Sequence, residues 1–220
     1  MIVDERIITY IRSLEPEGSP VSRQIAKEAK EAFVPIIRPE TASLLRTLVA
    51  IKRPRRILEV GTATGYSSIL MSECMPEGCT ITTIEKYEKR IPAARENFKR
   101  AGRENVITLI PGDAAEVLKT LEPPFDFIFM DAAKGQYLHF LEDVLRLMPE
   151  GGVLVSDNVL QDGDIIESRY AVARRNRTIH ARMREYLYAL KHMDCLETAV
   201  IPIGDGVTVS TKRFSEEKSS

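Results

Sequence analysis

The stretch ILEVGTATGYSS, residues 57–68, decides how the chain folds. An apolar run stops at Gly61, and Gly65 precedes what reads as a helix. That is the pattern of a strand turning sharply into a helix, a place where a ligand can approach backbone amides. A dinucleotide fingerprint wants G-x-G-x-x-G, but Ala63 and Tyr66 stand at its second and third glycine positions. Ala63 would crowd a pyrophosphate, so a nicotinamide cofactor is disfavoured. Glu59, just before the loop, would repel phosphates and suits a cationic ligand.

Outward from this loop, strand-like runs alternate with helical patterns: RRILEV (55–60), TITTI (80–84), VITLI (106–110), FDFIFM (125–130) and GVLVS (152–156). Helical spacing follows Tyr66 and fills 88–101, 114–120 and 135–147. Apolar strands joined by helices predict a parallel sheet covered on both faces. After a long helical pattern at 177–192 come LETAVIPI and GVTVSTK, joined by Gly204-Asp205-Gly206, which reads as an antiparallel hairpin closing one edge. Ahead of the sheet, 4–14, 22–33 and 40–51 read as helices, with Pro20 and Pro39 near their first turns. The expectation is one α/β domain over 1–220: N-terminal helices in 1–51, a core in 55–213 and a flexible tail in 214–220.

Composition excludes little. With 31 basic and 32 acidic residues, no global field recruits nucleic acid or a membrane, so any basic surface is local. No apolar run approaches the ~20 residues needed to span a bilayer. The start has no cationic leader, and Cys74, Cys79 and Cys195 lack C-x-x-C spacing, so the chain reads as cytoplasmic with reduced thiols.

Each strand end carries a residue suited to one part of a ligand. Glu85 ends the second strand, where a carboxylate accepts both hydroxyls of a ribose. Asp113 and Ala114, after the third, could edge an adenine. A nucleoside with a positive amino-acid tail, S-adenosylmethionine (SAM), fits this set. A glycine loop alone is often only a tight turn; three matched strand ends weigh against that reading.

Asp131 ends the fourth strand and Asp157-Asn158 ends the fifth. Neighbouring parallel strands bring their carboxyl ends together, and two carboxylates with an amide oxygen suit Mg²⁺ or another hard divalent cation. The bland alternative makes them a turn residue and a helix cap. Beside such a cation the protonated form of Lys134 is disfavoured, so this lysine could act as a base on a substrate hydroxyl.

EVGTATGYSS, Glu85, GDA, DAAK and SDN together resemble the cation-dependent O-methyltransferases that include catechol and caffeoyl-CoA enzymes. The resemblance runs from about Phe33 to the C-terminal hairpin. It implies a class I SAM-dependent methyltransferase (Rossmann-like) fold: a mainly parallel seven-stranded sheet, a C-terminal antiparallel hairpin and an N-terminal helical cap, usually in a homodimer. It also implies that Asp131, Asp157 and Asn158 hold Mg²⁺ and that Lys134 is the base. Glu59, Gly61, Thr62, Ser67, Glu85, Asp113, Ala114 and Asp131 would contact the cofactor, with Ile36 and Ile37 lying over it. DAAKGQY and RRNRTI look most like bacterial tRNA 5-hydroxyuridine methyltransferases, which make 5-methoxyuridine at the wobble position. Plant caffeoyl-CoA enzymes have a second Asp where this chain has Ala133.

Six arginines fall within residues 169–184, with His180 among them. Arginines grip phosphates and stack on bases, so Arg174, Arg175 and Arg177 are candidate tRNA contacts. At helical spacing Arg177, His180 and Arg184 would share one face. A solvated helix face or subunit salt bridges explain the pattern nearly as well. Three readings follow: a tRNA methyltransferase, an enzyme of the same chemistry acting on a small catechol-like or caffeoyl-CoA-like phenol, and a non-catalytic nucleoside-binding module.

Overall fold

The computed structural model describes residues 3–168 and 170–215. Three helices come first: α1 (Glu5–Leu14), α2 (Pro20–Glu31) and α3 (Pro39–Lys52). Pro20 and Pro39 occupy the first turns of α2 and α3, where a missing N–H costs nothing. Then β1 (Arg56–Val60), α4 (Tyr66–Cys74), β2 (Thr80–Glu85), α5 (Ile91–Arg100), β3 (Ile107–Pro111), α6 (Ala114–Thr120) and β4 (Phe127–Met130) alternate. A 3₁₀ turn, Lys134–Gln136, leads into α7 (Tyr137–Leu147) and β5 (Val153–Ser156). The long α8 (Arg177–His192) precedes the hairpin of β6 (Leu196–Ile201) and β7 (Val207–Lys212).

The seven strands lie in the order β3-β2-β1-β4-β5-β7-β6. β1 to β5 pair in parallel, whereas β7 runs antiparallel to both β5 and β6. Alternation along β1 explains the layering. Leu58 and Val60 pack with residues of α6, α7 and α8, while Ile57 packs with residues of α2 to α5 on the other face. Glu59 shares the face of Ile57 because side chains alternate with period two. No helix among the described residues is long and apolar enough to cross a membrane.

Several boundaries differ from the sequence reading, for local reasons. α5 begins at Ile91 rather than 88, because Pro92 in its first turn would clash with the carbonyl of residue 88 in a continuous helix. β4 begins at Phe127 rather than 125, because the Asp126 carboxylate turns back to accept the N–H groups of Arg55 (2.8 Å) and Arg56 (3.1 Å). α2 begins two residues early because Ser19 caps it, accepting from Ser22 N–H at 3.1 Å. The expected tail lies outside the described residues from 216 onward, as does Arg169.

Candidate active site

Because β1 to β5 run parallel, all their carboxyl ends open on one side of the sheet, the position at which such sheets bind ligands. A cavity of about 880 Å³ lies there. One wall is the loop after β1. Gly61 has φ +108°, and a Cβ there would lie 2.1 Å from the Asp131 carbonyl oxygen, so only glycine fits. At Gly65, φ is +80° and a Cβ would meet the Phe98 ring at 2.4 Å. The glycines let the loop pass against β4 and α5.

Glu85 lines the cavity and is 7 % exposed. Its carboxylate accepts the N–H groups of Ala63 and Tyr87, each at 2.7 Å, which fixes its orientation at the loop. Gly61, Asp113 and Ala114 also line the cavity, and Ile36 and Ile37 approach it from the segment before α3. Asp113 caps α6 through Ala115 N–H (3.0 Å) and takes an ion pair from Lys86 (2.6 Å), which together lower its pKa.

Glu59, Thr62 and Ser67 lie beneath the loop rather than on the cavity wall. Glu59 is fully buried and accepts from Ser67 (2.5 Å), Ser68 and Thr83 hydroxyls. Burial pushes its pKa up to about 7 against those three donors. Thr62 shares a 2.6 Å hydroxyl contact with Thr83. This polar layer supports the loop from below.

At the other end of the cavity Asp131, Asp157 and Asn158 meet. Asn158 adopts φ +62°, tolerated by asparagine, and its amide donates to Asp131 Oδ1 at 3.1 Å. Its own N–H donates to Asp157 Oδ1 at 2.7 Å. Asp157 is 3 % exposed, and burial, then repulsion from Asp131, pushes its pKa up to about 7. Burial likewise raises Asp131 to about 6, opposed by the Asn158 amide and Lys134. Asp205 lines the same end and adds repulsion to both. Two clustered carboxylates, Asp157 buried and Asp131 half-buried, that hold off ionisation are the electrostatic setting a divalent cation would relieve, and the donors are all hard oxygens. Among the described residues no group of three or more His, Cys, Asp or Glu could hold a metal, so this set depends on Asn158. Lys134, half-buried, lines the cavity in the turn that follows Asp131.

The family model for O-methyltransferases matches residues 19–213. The chain belongs to the O-methyltransferase family. The family's relatives include a caffeoyl-CoA O-methyltransferase of Populus kitakamiensis, 32% identical over 95% of this chain and 94% of its own. A catechol O-methyltransferase of Niastella koreensis is 34% identical over 62% of this chain and 65% of its own. The solved structure of the Streptomyces achromogenes O-methyltransferase TomG, involved in tomaymycin synthesis and in complex with SAM, superposes with a TM-score of 0.83. It is 25% identical, covering 95% of this chain and 96% of that one. The seven-stranded sheet with its reversed hairpin is the Rossmann-like SAM-dependent methyltransferase fold.

In this methyltransferase Arg174, Arg175 and Arg177 do not line the cavity. Arg174 and Arg175 are exposed in a short 3₁₀ turn. Arg177 donates to the carbonyls of Val172 (3.2 Å) and Tyr170 (3.3 Å). Arg182 and Arg184 donate to the carbonyls of Gly135 and Ile165. The expected cationic face does not form, because His180 is buried at 2 % exposure and points into the core.

The sequence reading missed Arg38 and Asp205. Both line the cavity of the methyltransferase and pair at 2.5 Å, and Arg38 also reaches Asp162 at 2.9 Å. Asp205 read only as a turn residue. The antiparallel β5–β7 pairing sets the start of β7, and so this turn, beside the end of β5, a placement the hairpin reading could have supplied.

Proposed function

We propose that the chain transfers a methyl group from SAM to a hydroxyl of a small catechol-like or caffeoyl-CoA-like phenol, using a hard divalent cation. The observation carrying this reading is that one cavity joins Glu85 at one end to Asp131, Asp157, Asn158 and Lys134 at the other. That spans a nucleoside and a second, hydroxyl-bearing molecule within a volume ordinary for such sites.

In this reading Glu85, oriented by its two amide bonds, accepts the ribose hydroxyls. Asp113 and Ala114 edge the adenine, and Ile36 with Ile37 covers the bound cofactor. Glu59, Thr62 and Ser67 hold the loop in position, and Gly61 lets it pass close to Asp131. SAM, when bound, supplies the electrophilic methyl group. A cation held by Asp131, Asp157 and Asn158 would supply Lewis acidity that makes the acceptor hydroxyl more acidic. Lys134, in its amine form, would take the hydroxyl proton as the acceptor oxygen gains the methyl group and S-adenosylhomocysteine leaves. Such a cation would favour the ionised forms of Asp131 and Asp157 and relieve the repulsion between them.

Beyond the resemblance of DAAKGQY and RRNRTI, a tRNA wobble acceptor rests on the exposed Arg174 and Arg175, since Arg177 is engaged with backbone, so the small phenol is favoured. A homodimer, implied by the resemblance, belongs to the same reading and is checked by sedimentation. The test is methyl transfer from labelled SAM to a 1,2-diphenol, to a monophenol, to caffeoyl-CoA and to unmodified and 5-hydroxyuridine tRNA. Turnover of a vicinal diphenol supports the reading, and turnover confined to tRNA refutes it.

A further inference from the structure

β4 and β5 end at Met130 and Ser156, and the residues that follow, Asp131–Ala132 and Asp157–Asn158, leave the sheet. Backbone groups beyond a strand end lose their ladder partners and need others if buried. The Met130 carbonyl keeps one, the Asp157 N–H at 3.0 Å, and the hydroxyl of Tyr137, the first residue of α7, meets that carbonyl and the Asp157 carbonyl as well. The Tyr137 ring is fully buried and meets Tyr186 edge-on at 5.4 Å. Its hydroxyl lies 3.1 Å from the carbonyl oxygens of both Met130 and Asp157, between which its one proton is shared. One of those carbonyls directly precedes Asp131 and the other belongs to Asp157.

A phenylalanine would fill the same space, and a buried hydroxyl costs stability unless it is bonded. Packing therefore accounts for the ring but not for the oxygen. We infer that Tyr137 is a positioning residue whose hydroxyl ties the ends of β4 and β5 together and sets the spacing of Asp131 and Asp157 for a divalent cation. This rests on the cation reading proposed above. Two like charges push the strand ends apart, while a small hard cation demands oxygens at about 2.0–2.1 Å in near-fixed directions. A tie behind the carboxylates answers both.

The test is Mn²⁺ affinity, read by electron paramagnetic resonance on the full chain, for wild type, Tyr137→Phe and Tyr186→Phe. Tyr186 is the control. Its hydroxyl, equally buried, bonds the Ser156 hydroxyl (2.6 Å) and touches neither carboxylate-bearing residue. Tyr137→Phe is expected to weaken Mn²⁺ binding about 10–100-fold, the usual cost of losing a group that orients a metal ligand. SAM affinity should stay within about twofold of wild type, and Tyr186→Phe should bind Mn²⁺ normally. Unchanged Mn²⁺ affinity in Tyr137→Phe, or equal weakening in Tyr186→Phe, overturns the inference. If Tyr137→Phe does not fold, Tyr137→Met, also without a hydroxyl, is read in its place. Wild-type protein that fails to bind Mn²⁺, or binds it as well after Asp157→Asn, overturns the cation reading itself and this inference with it. That outcome is separable because it shows before Tyr137 is changed.

Discussion

Replacing Asp157 by asparagine should stabilise the metal-free protein at alkaline pH while abolishing its response to metal. Asp157 has its pKa raised from 3.8 to about 7 by burial and by Asp131. A group raised in the folded state contributes stability that is fully present below its unfolded pKa and lost as pH rises through the folded one. The loss therefore develops between about pH 4 and pH 7. At about 1.36 kcal/mol per pH unit, the whole displacement corresponds to roughly 4 kcal/mol, an upper bound that relaxation and water penetration roughly halve. Asparagine cannot ionise, and its carbonyl can still accept the Asn158 N–H now bonded at 2.7 Å. In chelator at pH 8 the variant should be about 2 kcal/mol more stable, a rise in Tm of roughly 4–8 °C for a chain of this size. At pH 5 the gap should shrink below about 1 kcal/mol, because the wild-type carboxyl is then protonated. Mg²⁺ at pH 8 should raise the Tm of wild type and leave the variant unmoved. Thermal melts at the two pH values, with and without Mg²⁺, give all four numbers. A variant less stable than wild type at pH 8, or a gap independent of pH, refutes the reasoning.

Glu85→Ala should weaken SAM binding by roughly 1.5–3 kcal/mol in calorimetry, the worth of hydrogen bonds to a charged group. Lys134→Ala should lower kcat by about 10²–10⁴-fold with SAM affinity retained, and an unchanged pH–rate profile would remove Lys134 as the base. Gly61→Ala, at φ +108° with its Cβ 2.1 Å from the Asp131 carbonyl oxygen, should cost several kcal/mol or prevent folding, read by denaturant melts. Arg174→Ala with Arg175→Ala should leave diphenol methylation unchanged, since neither side chain lines the cavity.

The sheet was legible because buried parallel strands are apolar on both faces, and because a glycine loop after β1 admits few geometries. Strand ends were legible for the same reason: Glu85, Asp131, Asp157 and Asn158 sit where polarity abruptly replaces an apolar run. Arg38, Asp205 and Tyr137 were not. Their positions depend on long-range pairing, of the β6–β7 hairpin against β5 and of α7 against two strand ends; the hairpin was readable, but the sequence reading did not extend it to the Gly204–Gly206 turn. The arginine cluster shows the opposite failure. The local run of arginines announced a cationic surface, but whether a guanidinium meets solvent or a neighbouring carbonyl depends on the fold, and Arg177, Arg182 and Arg184 all meet carbonyls. Glu59 was placed on the ligand side from its charge; the sheet's alternation turns it underneath, where Ser67, Ser68 and Thr83 surround it.

The most direct test of the central claim is the rate of methyl transfer from SAM to a 1,2-diphenol by chelator-treated protein, before and after Mg²⁺ is restored. The joined cavity, with its paired carboxylates, predicts negligible turnover in chelator and full recovery with Mg²⁺. Undiminished turnover in chelator would contradict the account and return Asp131, Asp157 and Asn158 to a role in the turns they occupy.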